Sequence, residues 1–197
     1  MKITYDNDYE KVESTLRDFD KNKYCLFVDQ ADINGTQSII DSHWHEWLEI
    51  THVIDGEMTL MVPEKTYHIH AGEIVVIGMQ TLHRITGNLG NYRFQCLHVN
   101  VGFILQYLNP ILLNEKVIVI KEKERFLNKF MDVIALLKRE DIISELRYKA
   151  ALLEMLSLCL EEVSFNKDIG QSETNDVFSH ILFYVSTHYQ ENISLQE

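Results

Sequence analysis

Two prolines and three cysteines in 197 residues leave the chain little covalent or conformational constraint from those sources. Cys25, Cys96 and Cys159 are odd in number, far apart and without a C-x-x-C pair, so neither a disulfide framework nor a thiolate metal site is signalled. The expected compartment is reducing. The amino-terminal stretch carries Asp6, Asp8, Glu10 and Glu13 and no apolar run of signal-peptide length. Nowhere does an uninterrupted apolar run approach the roughly 18 residues of a membrane span. A soluble, cytoplasmic protein without a membrane partner is therefore expected. Positive charge is also scarce, with 18 Lys and Arg against 30 Asp and Glu and a formal net charge of -12. Such a balance repels nucleic acid and anionic membranes. Half of the basic residues lie between Lys116 and Lys149, interleaved with acids, which reads as solvated helix faces rather than a phosphate-binding stripe.

What is present is an apolar fraction of 46%, enough for one compact domain with a core and a smaller helical appendage. After a short helix expected at 9–19, strand-like segments recur at 24–28, 37–40, 47–54, 58–62, 66–70, 73–77, 83–85 and 92–101. Turn signals separate them, among them Asn34-Gly35, Asp55-Gly56, Pro63-Glu64-Lys65 and Ala71-Gly72. Short strands at this rhythm make a sandwich or a small barrel. Past Asn109-Pro110 the period changes. A last strand at 117–120 precedes an amphipathic helix at 122–138, with Phe126, Phe130, Val133 and Leu137 on one face. The helix at 142–163 carries two stripes, Leu146, Ala150, Leu153 and Leu160 on one and Leu152, Leu156, Cys159 and Val163 on the other. Two stripes exceed what one packing partner covers, so one is assigned to the chain itself and the other to a second subunit, with burial of both inside one monomer as the alternative. A polar linker follows, and then Phe178, Ile181, Leu182, Val185 and Tyr189 repeat at helical spacing.

Chemistry concentrates between Gly35 and Gly87. His43, His45 and Glu49 all occupy odd positions, so on one strand they would share a face, with His83 arriving from a neighbouring strand. Imidazole and carboxylate donors together suit a divalent transition metal. Three arrangements satisfy the pattern: a metal centre, a metal-free pocket using the same groups as hydrogen-bonding partners, and an exposed polar cluster. Trp44 and Trp47 flank the group; His68 and His70 are expected to face water, and His52 and His98 receive no partner.

Read as phrases, His43-x-His45-x-x-x-Glu49 followed by Gly56, and Gly72-Glu73 followed by Gly78 and His83, resemble the two motifs of the cupin superfamily. The first fits at every defining position. The second has Glu73 where Asp is commoner and Gly78 where Pro is usual. The resemblance implies a jelly-roll barrel and a metal (zinc, iron, manganese or nickel) held by His43, His45, Glu49 and His83. The order barrel, two helices, linker, then the phrase around Tyr184, His188, Tyr189, Ile193, Ser194 and Leu195 resembles the AraC family of bacterial transcription regulators. That likeness implies a mainly β fold with α: a cupin jelly-roll β-barrel, two antiparallel helices, and the first helix of a truncated helix-turn-helix domain. It also implies a small-molecule effector in a pocket lined by His43, His45, Trp47, Glu49 and His83, and a homodimer through the helices at 122–163. DNA would be bound only through a further carboxy-terminal domain. The implied divisions are 1–120 for the barrel, 121–164 for a helical dimerisation hairpin, 165–176 for the linker and 177–197 for the start of the DNA-binding domain. Ser194-Leu195-Gln196-Glu197 matches a capping box at the very end, as though a helix were to follow. No catalytic residue is expected on this reading. A metal-dependent cupin enzyme, an oxygenase or isomerase, is the alternative.

Overall fold

The computed structural model describes residues 25–32, 39–87, 92–108 and 116–166. The helices expected at 9–19 and 178–189, the linker and the terminal capping box lie outside the described residues. The chain forms two compact units, Met1–Val101 and Gly102–Glu197.

Among the described residues, eight strands build the first unit: β1 Cys25–Asp32, β2 Ile39–His43, β3 Leu48–Asp55, β4 Glu57–Val62, β5 Lys65–His70, β6 Ile74–Ile77, β7 His83–Gly87 and β8 Tyr92–Val99. Within it, one sheet runs β1-β8-β3-β6 and the other β2-β7-β4-β5, every pairing antiparallel. These are the strands the turn signals delimit, and the two-sheet jelly-roll arrangement is the one the cupin resemblance implies. Turns fall where residues permit them. Gly56 and Gly72 adopt φ of 74° and 82°, a region open to glycine without steric cost. The Gly72 N–H reaches the Val53 carbonyl at 2.8 Å and the Ala71 N–H the Gly56 carbonyl at 3.1 Å, so the β3–β4 and β5–β6 turns brace each other.

The interior between the sheets changes character along its length. On β3 the odd positions Glu49, Thr51 and Val53 share a face, and on β8 their register partners are His98, Cys96 and Phe94. At the Val53 end the interior is apolar, with Met58, Ile69 and the stacked pair Tyr92–Phe94 buried. At the Glu49 end it is polar. The even face, Leu48 and Ile50 with Val76 and Leu97 in register, is fully buried as well, so β3 is covered on both sides.

The second unit contains helix α1, Val101–Leu105, strand β9, Val117–Val119, and two longer helices, α2, Lys123–Leu137, and α3, Ile142–Asn166. Strand period had been expected to run on to Val101; instead the chain turns helical there, directly after β8. Asp141 starts α3: its carboxylate accepts the Ser144 N–H at 2.9 Å and the Ser144 hydroxyl at 2.7 Å, the usual remedy for the free donors of a helix N-terminus. Helices α2 and α3 pack antiparallel, since the start of α2 meets the end of α3. The buried Glu162 carboxylate accepts the backbone N–H of Lys121 at 2.8 Å, and Lys129 pairs with Glu154 at 3.1 Å. Phe126, Phe130, Val133 and Ile134 bury from α2, and Tyr148, Leu152, Met155, Leu156, Cys159 and Val163 from α3. The other stripe of α3 is left open: Ile142, Ile143 and Leu146 are 65%, 59% and 60% exposed. No helix among the described residues is long and apolar enough to cross a membrane.

Candidate functional site

His43, His45, Glu49 and His83 do come together, but not by the alternation that sequence spacing implies. His43 ends β2 in one sheet and Glu49 lies on β3 in the other, so the chain crosses between sheets at 44–47 and no single strand carries the three residues. The register of β2 against β7 also slips: Ile40 faces Ile85, and His43 faces His83, three residues on one strand against two on its neighbour. A bulge of this kind re-aims a side chain. It places both Ile40 and His43 beside inward partners on β7. The second motif enters through the turn Gly78-Met79-Gln80-Thr81. Gln80 has φ 58°, uncommon for a residue with a side chain, and its N–H donates to the His45 carbonyl at 2.8 Å. This bond staples the two histidine-bearing loops together.

Glu49 stands at the centre, 4% exposed. Its Oε1 accepts the Thr51 hydroxyl at 2.9 Å. Its Oε2 faces three imidazoles at once, with Nε2 of His45 at 3.1 Å, of His98 at 3.3 Å and of His83 at 3.6 Å. His43 packs against His83 at a tilt of 55°, ring centroids 4.3 Å apart. Trp47 lies over the His45 ring at 5.7 Å and meets His98 edge-on at 5.8 Å, while Trp44 is exposed. With His83 at 1% and His98 at 8% exposure, the arrangement is a buried centre and not an exposed cluster. His98 is the residue that sequence spacing missed, because β8 reaches Glu49 only through long-range pairing. A signal was available in Cys96-x-His98, an alternating polar pair within an apolar strand. His68 and His70 lie on the outer side of β5, exposed as expected and beside Glu57.

The proton positions follow from the partners. Nδ1 of His43, His45 and His83 each faces a backbone carbonyl two residues away, of Asp41 at 2.9 Å, Trp47 at 3.0 Å and Thr81 at 2.8 Å. A carbonyl only accepts, so all three Nδ1 atoms carry a proton and each ring turns its Nε2 inward; in a neutral ring that Nε2 presents a lone pair. Backbone anchoring of one ring nitrogen is how metal-binding histidines are oriented. Lone pairs on His45 and His83 then face a carboxylate oxygen with nothing between them unless a cation, proton or metal, is present. His83 Nε2 is buried without a hydrogen-bond partner. The electrostatics agree. Burial works to raise the Glu49 pKa, but its contacts with His45, His83 and His98 outweigh that and hold the carboxyl well below its usual range. Burial works to lower the His83 pKa, and the Glu49 charge reverses the effect and raises it. His43, farther from Glu49, is lowered by burial and by His83 to about 4. Cys96, buried beside Glu49, has its thiol pKa pushed well up and stays protonated.

Metal–ligand distances of roughly 2.0–2.2 Å put neighbouring ligands of one ion about 3–4 Å apart. The separations around Glu49 Oε2 fall in that range. Donor atoms of His43, His45 and His83 lie within 4.8 Å of one another, and so do those of His45, Glu49 and His98. The residues fit a divalent transition metal.

The barrel and part of the helical hairpin, residues 32–156, match the AraC-like ligand-binding domain family. The chain belongs to that family. Solved structures with the same fold include ToxT from Vibrio cholerae O395 bound to (E)-4-(8-methylnaphthalen-1-yl)but-3-enoic acid. It superposes with a TM-score of 0.56 at 13% identity, over 88% of this chain and 69% of ToxT. Apo ToxT K231A from Vibrio cholerae strain SCE256 gives 0.58 at 14%, over 89% and 69%. Wild-type ToxT bound to an unsaturated fatty acid gives 0.52 at 13%, over 88% and 66%. No curated protein matches this chain by sequence. The resemblance to the AraC family thus holds, and with it a mainly β cupin-type fold and a ligand-binding role.

Proposed function

We propose that this chain is the effector-sensing and dimerisation region of an AraC-type transcription regulator, controlling sequence-specific DNA binding by a helix-turn-helix domain carboxy-terminal to it. The observation that carries the reading is that one family match runs from the barrel through α2 and into α3, where it meets an exposed apolar stripe at Ile142, Ile143 and Leu146. A second copy of the chain is the occupant this reading assigns to that stripe. Effector in the barrel would shift a population between dimer arrangements and so alter the spacing of two DNA-binding heads. The net charge of -12 supports a sensing rather than a DNA-contacting role for these residues.

The pocket is assigned to His43, His45, Trp47, Glu49 and His83, and the metal to His43, His45, Glu49 and His83, with zinc, iron, manganese or nickel as suitable ions. Such an ion would supply positive charge to a centre whose lone pairs otherwise oppose one another. A metal-dependent cupin enzyme is the competing reading, favoured by the same donor set. Among the side chains described next to the cluster, Thr51 and the protonated Cys96 offer no general acid or base, and His98 is the neighbour that an enzyme would have to use. Sedimentation analysis of the purified chain, with and without zinc, tests the proposal: a dimer at micromolar concentration supports it. A monomer under both conditions, or turnover of a substrate by the metal-loaded chain, refutes it.

A further inference from the structure

We propose that His98 is itself a metal ligand, joining His45 and Glu49 at the centre; this rests on the reading of the His43, His45, Glu49 and His83 group as a metal centre. His98 comes from β8, outside both motifs. Register sets it directly beside Glu49 on the neighbouring strand β3, facing the same interior. Its Nε2 lies 3.3 Å from Glu49 Oε2, closer than His83 Nε2 at 3.6 Å, and its ring meets His45 edge-on with centroids 5.4 Å apart. Together His45, Glu49 and His98 form a compact donor group in their own right. The other neighbour of the His98 ring is the Cys96 sulfur, 3.6 Å from Nε2 and 4.0 Å from Nδ1, a weak partner that does not commit either nitrogen.

The number of donors bears on what the ion is for. Catalytic metal sites keep a coordination position open, whereas closed sites fill it with protein. With His43 and His83 also bound, four imidazoles and a carboxylate would leave an octahedral ion one position at most, and a five-coordinate ion none. Water approaches the group from the side of His43 and His45, which are partly exposed, while Glu49, His83 and His98 are buried. Held this way, the ion is gripped mainly by protein, with room for one exogenous ligand at most. His98 also ties the centre to β8, which pairs along its length with both β1 and β3. Loading the centre would therefore brace three strands of one sheet.

The test must separate a ligand from a residue that merely donates a hydrogen bond to Glu49, because either loss weakens metal binding by roughly 10–100-fold. The 197-residue chain is titrated with cobalt(II) and zinc(II) against a chromophoric chelator, and folding of every variant is checked by circular dichroism. In a Cys96→Ser background, His98→Cys loaded with cobalt(II) is expected to show a near-ultraviolet sulfur-to-cobalt charge-transfer band that the background alone lacks. His98→Asn, which can still donate to Glu49, is expected to lose affinity at least 10-fold and to change the visible cobalt spectrum. X-ray absorption on the zinc-loaded chain should count one imidazole fewer in His98→Asn. Absence of the charge-transfer band, with His98→Asn keeping the wild-type spectrum and affinity, overturns His98 as a ligand and leaves the four-residue centre standing. Failure of the unmodified chain to bind either ion overturns the metal centre itself.

Discussion

The open stripe of α3 makes a quantitative claim about association. Ile142, Ile143 and Leu146 keep about three-fifths of their surface in water within the single chain. Full burial of such a side chain is worth about 1.5–3 kcal/mol, so the part still available is ~1–2 kcal/mol for each residue. A two-fold interface counts every residue twice, so the three positions together supply ~6–11 kcal/mol toward association. That is comparable with the ~4–15 kcal/mol lost in translational and rotational freedom. Half-buried Leu153 and Leu160 continue the stripe along α3 at helical spacing. Leu146→Ala should then remove ~1–1.5 kcal/mol from each copy and raise the dimer Kd by roughly 30–150-fold. Monomer stability should move by less than about 0.5 kcal/mol, because the side chain touches little within its own chain. Leu152→Ala, on the buried stripe, should behave oppositely and cost the fold about 2–5 kcal/mol. Sedimentation equilibrium supplies the Kd and urea unfolding the stability. Should Leu146→Glu leave Kd unchanged while the chain stays folded, the stripe is not the interface.

Three further outcomes are expected. In metal-free protein, the neutral form of His43 is favoured by the fold, its pKa falling from 6.5 to about 4. Its contribution is therefore intact above pH 6.5 and is lost as pH drops toward 4, by up to about 3 kcal/mol and less in so far as water reaches the ring. His83, shifted the other way, gains stability as pH falls toward 6.5, and the Glu49 contribution fails only at lower pH still. Subtracting the urea-unfolding profile of His43→Asn from wild type should isolate the 6.5-to-4 decline; a flat difference contradicts the assignment. Gly87→Ala should destabilise by about 1–3 kcal/mol, because a Cβ there would lie 2.4 Å from the Tyr92 ring, and Tyr92→Leu should recover part of the loss in a double-mutant thermal melt. Glu162→Gln should cost about 1–2 kcal/mol in a urea melt by weakening the charge-assisted bonds to the backbone ahead of α2, and no change in the melt would contradict that capping role.

How much of this was legible beforehand depends on the range of the interaction. The strands, their turns and both long helices were readable, because hydrophobic period and turn chemistry act within a few residues. Asp141 as the start of α3 is of the same local kind. The site was readable only as a list of residues. His43, His45 and Glu49 share parity, yet parity is not what unites them. The chain changes sheet between His43 and Leu48, and a bulge in β2 resets the alternation. Neither event leaves a mark in spacing. His98 lies 49 residues from Glu49, and only the β3–β8 register brings the two together. Likewise the two stripes of α3 are plain in the sequence, but which one meets α2 is settled by packing alone.

The centre also joins folding to occupancy. A carboxylate almost sealed from water, facing three imidazole nitrogens, cannot be neutralised by solvent and must take its counter-charge from within. Protons can supply it, and the raised His83 pKa shows the fold already drawing one toward Glu49. Protons cannot, however, satisfy the inward lone pairs of several rings without placing two positive charges side by side, which the lowered His43 pKa resists. A divalent ion in the proposed centre would supply the counter-charge without a second proton. On the proposed reading, an ion present at 100 times its Kd would add about 2.7 kcal/mol to the stability of the barrel. The donors sit on β2, β3, β7 and β8, with His45 in the crossing between sheets, so the ion would draw both sheets onto one point. In such a barrel, order is itself the response to the ion.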